Sequence, residues 1–311
     1  MPTFLELFNR PSADLTNSEG YTSSPSISFD VHERLYSTLG EQCVVLDVKD
    51  NVVEQFSSSD GLPFVAVEAP QEATNAVVHK RFVCATTKSV HVYRQHNIDE
   101  PPLDEQERKV PIVSLNVVGA VPVTRRIVSM ALFGKNQDSV VLLTNHDDGC
   151  VFIYDELLKQ GAMHSGDPDQ RWGALLKLGS PSIVCGSPVI DCIALVNEKK
   201  SQVMSYDRKG MVQSTWLNYD SSMNVTAATV DRGNRLNVSF RSKSTGESRV
   251  DVYGSTGDGK GDSNEDEFQL LWRFKDDGLA PFGIPVALCV GGANSIVVLD
   301  DRSIPYPNCI S

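Results

Sequence analysis

A short β-branched run ending in Tyr or Leu, often followed by Asp, recurs six times along the chain, and no other feature constrains the fold so tightly. The runs are Val44-Val45-Leu46-Asp47, Val90-His91-Val92-Tyr93, Val151-Phe152-Ile153-Tyr154-Asp155, Val203-Met204-Ser205-Tyr206-Asp207, Val250-Asp251-Val252-Tyr253 and Ile296-Val297-Val298-Leu299-Asp300. From Leu46 to Leu299 the steps are 47, 61, 52, 47 and 46 residues, so one structural unit of near-constant size repeats. A second β-capable run precedes each marker, at 34–39, 81–86, 139–144, 189–196, 235–240 and 286–290. A third follows all but the last, at 52–56, 111–118, 172–178, 212–217 and 267–274, and all three tryptophans fall in this set. An earlier run opens each unit, at 27–29, 64–68, 127–133, 181–185, 225–230 and 281–284.

Four strands in a unit of ~40–50 residues is the arithmetic of a propeller blade. The expected fold is therefore all-β, a single β-propeller domain over 1–311. Six blades are favoured, and a seventh would have to be recruited from loop. The last unit ends in a polar tail holding Pro305 and Pro307, so the segment 3–8 is expected to close the ring as the outer strand of the last blade. Inserted loops are expected near 95–110, 159–171 and 255–267, where Gly, Pro and acidic residues replace apolar ones.

Those loops carry much of the charge. The chain has 40 Asp plus Glu against 28 Lys plus Arg, a net −12. Binding through phosphates needs a cationic surface, so nucleic acid and anionic membrane are disfavoured as partners. Asp99, Glu100, Asp104, Glu105 and Glu107 in the first loop, with Asp262, Glu265 and Asp266 in the third, become the candidate partner-binding residues, suited to a basic surface. The seven cysteines form no CxxC pair, and the closest two, Cys185 and Cys192, have six residues between them. They read as reduced core thiols, and with no basic leader or apolar run of ~18 residues the expected setting is cytoplasmic or nuclear.

The stretch Asp148-Gly149-Cys150-Val151-Phe152-Ile153-Tyr154-Asp155 resembles the third strand of a WD repeat, with Tyr154-Asp155 where the Trp-Asp dipeptide stands. Gly40 to Asp47 and Gln202 to Asp207 echo it, although no Trp-Asp and no Gly-His dipeptide occurs. The resemblance to divergent WD-repeat propellers implies an adaptor or a subunit of a larger complex. Tyr206-Asp207-Arg208-Lys209-Gly210 is similar to the blade end of an NHL-type repeat, which implies the alternative of an RNA-binding propeller.

Local catalytic signatures are absent. There is no GxSxG and no HExxH. Gly254 to Gly261 spaces Gly259-Lys260 like a phosphate loop, but Gly261 stands where the Mg²⁺-binding hydroxyl belongs. Asp262, Asn264 and Asp266 begin a calcium-loop pattern that Glu267 and Arg273 then break at its turn and bidentate positions. His146-Asp147-Asp148 precedes Gly149 and reads as a hairpin turn. His91 alternates with Val90 and Val92 and reads as a satisfied strand residue. No catalytic, metal or cofactor residue is assigned. A propeller hydrolase would need Asp, Glu and Asn gathered from several blades at a central metal site. The favoured reading is a non-catalytic protein–protein interaction scaffold.

Overall fold

The structure is a computed structural model of the chain and describes residues 4–6, 26–47, 54–71, 77–95, 110–117, 126–145, 150–160, 168–172, 182–255, 268–275, 283–291, 295–300 and 308–310. Strand β1 (Phe4–Glu6) precedes five sheets of four consecutive strands each. The first sheet is β2 (Ile27–Phe29), β3 (Arg34–Leu39), β4 (Gln42–Asp47) and β5 (Glu54–Ser57). The second is β6 (Phe64–Glu68), β7 (Arg81–Thr86), β8 (Ser89–Arg94) and β9 (Val113–Asn116). The third is β10 (Arg126–Phe133), β11 (Ser139–Asn145), β12 (Cys150–Tyr154) and β13 (Gln170–Trp172). The fourth is β14 (Ile183–Gly186), β15 (Ile193–Asn197), β16 (Gln202–Tyr206) and β17 (Val212–Asn218). The fifth is β18 (Met223–Val230), β19 (Leu236–Ser242), β20 (Ser248–Ser255) and β21 (Phe268–Lys275). A sixth four-stranded sheet is composite: β22 (Pro285–Val290), β23 (Ile296–Asp300) and β24 (Asn308–Ile310), then β1 at its outer edge.

Every pairing is antiparallel, and the innermost strands β2, β6, β10, β14, β18 and β22 pack side by side in that order, with β22 against β2. The chain is an all-β propeller. The repeat phase read from the sequence holds for five sheets, where each marker run lies on the third strand. It is wrong for the sixth. Residues 283–284 are not strand, 285–290 is the innermost strand, and the marker at 296–300 is the second. The third strand comes from the tail dismissed for its prolines, since Pro305 and Pro307 leave the donors of Asn308-Cys309-Ile310 intact. Phe4, Leu5 and Glu6 pair with Ile310, Cys309 and Asn308.

Both faces of each sheet are covered by neighbours, which explains why the strands read as apolar runs rather than alternations. Side-chain alternation sends odd and even positions of a strand to different interfaces. On β7, Phe82 and Cys84 join Tyr36, Phe56, Phe64 and Tyr93 between the first two sheets. Val83 and Ala85 face the other way, into a core with Ile127, Leu132 and Leu142 of the third sheet. Comparable clusters fill the spaces between third and fourth, fourth and fifth, fifth and sixth, and sixth and first sheets. In the first interface Phe82 stacks on Tyr93 at 5.2 Å and meets Phe56 edge-on at 5.1 Å, arrangements that add to plain burial.

Two polar devices fix the turns. Asp30 Oδ1 accepts the His32 and Arg34 amides while Oδ2 accepts Arg34 Nε at 2.7 Å and the Tyr36 hydroxyl at 3.1 Å. Asp231 repeats this on Gly233, Arg235 N and Arg235 Nε, so an Asp-x-x-x-Arg turn joins the first two strands of both sheets. The second device is centred on His91. Its Nδ1 bonds Ser59 Oγ at 3.1 Å and Ser114 Oγ at 2.9 Å, and its Nε2 lies 3.6 Å from Asp60 Oδ2. Burial acts to raise the Asp60 carboxyl, but His91, the Thr86 hydroxyl and the Leu62 amide outweigh it and hold it at about 2.

Gly186 marks the tightest approach between sheets. A Cβ there would stand 1.9 Å from the Leu132 carbonyl oxygen on β10. Gly186→Ala is expected to lower unfolding free energy by on the order of 2–3 kcal/mol, because backbone rather than a flexible side chain must move. Urea denaturation checks this, and a loss below about 0.5 kcal/mol contradicts the packing.

Candidate interaction surface

Antiparallel strands place the connections from first to second strand and from third to fourth on one face of the ring. Side-chain contacts confirm that these connections share it. Gln71 follows β6; its N–H donates to Gln137 Oε1 at 2.6 Å and its Nε2 to the Val290 carbonyl at 2.5 Å. Arg232 Nη2 donates to the Gln71 carbonyl at 2.9 Å, so connections of the second, third and fifth sheets meet the end of β22. Ser187 Oγ donates to Asn234 Oδ1 at 3.0 Å, and Arg34 Nη2 to Gln95 Oε1 at 3.1 Å, bringing in the fourth and first.

The three insertions expected from the sequence all leave from this face. Each lies between a third and a fourth strand: β8 and β9, β12 and β13, β20 and β21. Asp99, Glu100, Asp104, Glu105, Glu107, Asp262, Glu265 and Asp266 themselves lie outside the described residues, as does His146-Asp147-Asp148.

Apolar exposure follows the same division. The exposed large apolar residues among those described are ten. Seven of them, Val31, Val77, Val110, Val189, Ile190, Met211 and Val212, belong to or adjoin the connections on this face. The other three, Leu270, Leu271 and Trp272, lie on β21 at the rim. Val189-Ile190 and Met211-Val212 flank a charged knot. Arg208 Nε meets Asp191 Oδ2 at 2.5 Å, its Nη1 bonds Asp155, and its guanidinium lies 4.7 Å over the Phe133 ring. Burial raises the Asp155 carboxyl above its ordinary range, with Arg208 opposing and Asp169 and Asp191 adding to it. Beside the knot, Lys159 Nζ spans Asp138 at 2.5 Å and Glu156 at 3.1 Å. The expected strand 189–196 begins only at Ile193, which leaves Val189 and Ile190 in the turn. Pro188, which cannot serve a ladder, is the signal for that shift.

The channel at the ring centre is a cavity of about 260 Å³ lined by all six innermost strands. Glu68 is the one charged side chain among its lining residues, and Ser28 Oγ donates to its Oε2 at 3.3 Å. Burial pushes its carboxyl up to about 8, with the Ser28 bond opposing. Cys185 also lines the cavity, and burial, then Glu68, raise its thiol. A thiol so held is a poor nucleophile. Among the described residues no three His, Cys, Asp or Glu side chains gather as they would around a metal ion.

The Glu68 shift has a defined consequence. Between pH 4.5 and about 8 the folded chain binds more protons than the unfolded one, so this group's contribution is complete below 4.5 and is lost as pH rises. Glu68→Gln is expected to flatten that slope and to add on the order of 1–4 kcal/mol of stability at pH 8. Denaturation curves at pH 5 and pH 8 check it; an unchanged slope contradicts the burial.

No family model matches the chain, and no curated relative matches it. Solved structures do. The β-propeller domain of Cps50 (Swd1) from Myceliophteria thermophila aligns with a TM-score of 0.53 at 9% identity, over 92% of this chain and 82% of that one. A chain of the Mitotic Checkpoint Complex aligns with a TM-score of 0.55 at 10% identity, over 97% and 96%. A protein from Lactobacillus plantarum aligns with a TM-score of 0.53 at 14% identity, over 97% and 90%. At these identities the likeness is one of fold, and the fold is that of a β-propeller.

Proposed function

We propose that the chain is a non-catalytic protein–protein interaction scaffold, an adaptor or subunit of a larger complex, that takes its partners on the insertion face. The observation that carries this is the one-sided distribution of exposed apolar side chains among the described residues, seven of ten lying on or beside connections of the face from which the three insertions leave. Scattered apolar residues are normal on any surface, whereas gathering on one face marks a contact region. Among solved structures of this fold, one is of the Mitotic Checkpoint Complex, an assembly of the kind proposed. The acidic insertions favour a partner with a basic surface.

Retention of partners across a salt series tests the charge reading. Retention should fall steeply with salt, whereas salt-independent binding or preference for acidic partners contradicts it. Met211→Lys and Ile190→Lys test the face, and each is expected to weaken partner binding at least ten-fold. Both residues are exposed, so stability should stay within about 0.5 kcal/mol.

The scaffold is best read as a ring of six blades, the last closed by the N-terminal strand. Pairing of Phe4–Glu6 with β24, and of β22 against β2, supports this reading. Deleting residues 1–6 is expected to cost roughly 1–3 kcal/mol by uncovering the edge of β24. An unchanged Tm contradicts closure by that segment.

A further inference from the structure

Buried carboxylates in this ring bring their own cations. Asp30 has Arg34, Asp138 has Lys159, Asp231 has Arg235, and Asp251 has both Arg249 and Arg273. A charge taken out of water is costly unless it is paired, which accounts for these contacts. Glu68 in the channel departs from the pattern. Among the described residues its carboxyl accepts one bond, from the neutral Ser28 hydroxyl at 3.3 Å. No Lys, Arg or His lines the cavity around it.

The cavity itself suits a small guest. At about 260 Å³ it lies just below the ~300–1,000 Å³ of pockets for drug-sized ligands, so it takes a smaller body. Val65, Val128 and Ala287 give it apolar wall, and Ser129, Ser182 and Thr226 contribute hydroxyls. Ser129 Oγ accepts the Val184 amide at 3.1 Å and Ser26 Oγ the Val67 amide at 3.2 Å, which pins neighbouring innermost strands together. Ser182 Oγ is buried with no hydrogen-bond partner among the described residues, a group that calls for a water or a ligand.

We infer that the channel binds a small free primary ammonium compound, its cationic head on the Glu68 carboxylate and its apolar body along the valine and alanine wall. An anion would meet a carboxyl and no cation. A metal ion wants several hard ligands, and among the described residues no three His, Cys, Asp or Glu gather. A lysine of a protein seated on the insertion face would meet Gln71, which is held across that mouth by Gln137, Val290 and Arg232. The free compound is therefore the occupant, and the inference does not depend on where the scaffold takes its partners.

Binding is linked to the proton on Glu68. Burial pushes that carboxyl up to about 8, so at pH 7 the ammonium must displace a proton into solvent. Of the titratable groups nearby, Cys185 of β14 shares the channel. On the strands packed against β6, Arg34 and Tyr36 bond Asp30, Asp47 lies opposite Arg34, and Cys43 and Cys84 lie in the core between the first two sheets. Arg81 donates to the Leu158 and Gln160 carbonyls, and Arg126 opens β10 opposite Asn145. None of these supplies a cation to Glu68.

Titration calorimetry of n-butylammonium on the full chain tests the proposal, with butyramide, butyrate and potassium as comparisons. A single equivalent of n-butylammonium should bind, roughly 50-fold more tightly at pH 8 than at pH 6, with protons released to the buffer at pH 7. Glu68→Gln should weaken binding at least ten-fold at pH 8; the pH series on the parent chain decides the matter if that variant fails to fold. The methyl signal of Met130, which lines the channel, should shift, while that of Met211 on the insertion face should stay. Lack of saturable binding, a pH-independent affinity, or equal binding of butyramide, butyrate or potassium overturns the proposal. So does tighter binding of a blocked lysine tripeptide than of n-butylammonium, which would make a protein side chain the occupant. Met211→Lys should leave n-butylammonium binding intact, so failure of the channel site and failure of the insertion face are read separately.

Discussion

A four-stranded sheet with two apolar faces cannot stand alone in water, and the arrangement of this chain follows from that constraint. Each strand sends alternate side chains to opposite neighbours, as β7 does with Phe82 and Cys84 on one side and Val83 and Ala85 on the other. Covering both faces of every sheet requires neighbours on both sides, and innermost strands packed in a closed order supply them. Gly186, pressed against the Leu132 carbonyl, shows how near neighbouring sheets come at the centre. The polar wiring is secondary to this packing and serves to set turns: Asp30 with Arg34, Asp231 with Arg235, and Asp60 with His91.

Repetition made the fold legible. β-branched runs at near-constant steps marked the third strand of five sheets, and the tryptophans marked fourth strands because Trp172, Trp216 and Trp272 all lie there. The phase of the sixth sheet escaped because Pro305 and Pro307 disguised β24 as tail, which left the marker at 296–300 to be read as a third strand. The candidate surface was legible only in part. Acidic insertions could be placed in loops, but not on a common face, since that depends on their all joining third to fourth strands. Val189-Ile190 reads as the start of a strand in the sequence, whereas the structure leaves both in the turn after Pro188. Glu68 ends the expected strand 64–68, but its channel position needs six strands at once.

The two faces of the ring are chemically unequal. One carries the exposed valines, Ile190 and Met211, the Arg208 knot with its two carboxylates, and the strand ends from which the insertions leave. The mouth of the channel on that side is bridged by Gln71, held from three sheets. Inside, burial raises both the Glu68 carboxyl and the Cys185 thiol above their ordinary ranges. A rigid ring with an uneven surface is suited to holding other proteins.

The most direct measurement is an oxidative footprint of the chain, free and within the assembly that the proposed function requires. Met211, 63% exposed and on the insertion face, is the natural reporter because its thioether oxidises readily. The account predicts strong oxidation of Met211 in the free chain and clear protection in the assembly. Residues on the opposite face, such as Lys199 and Lys200, should change little in parallel labelling of amines. Protection of those lysines with Met211 left as reactive as in the free chain would contradict it.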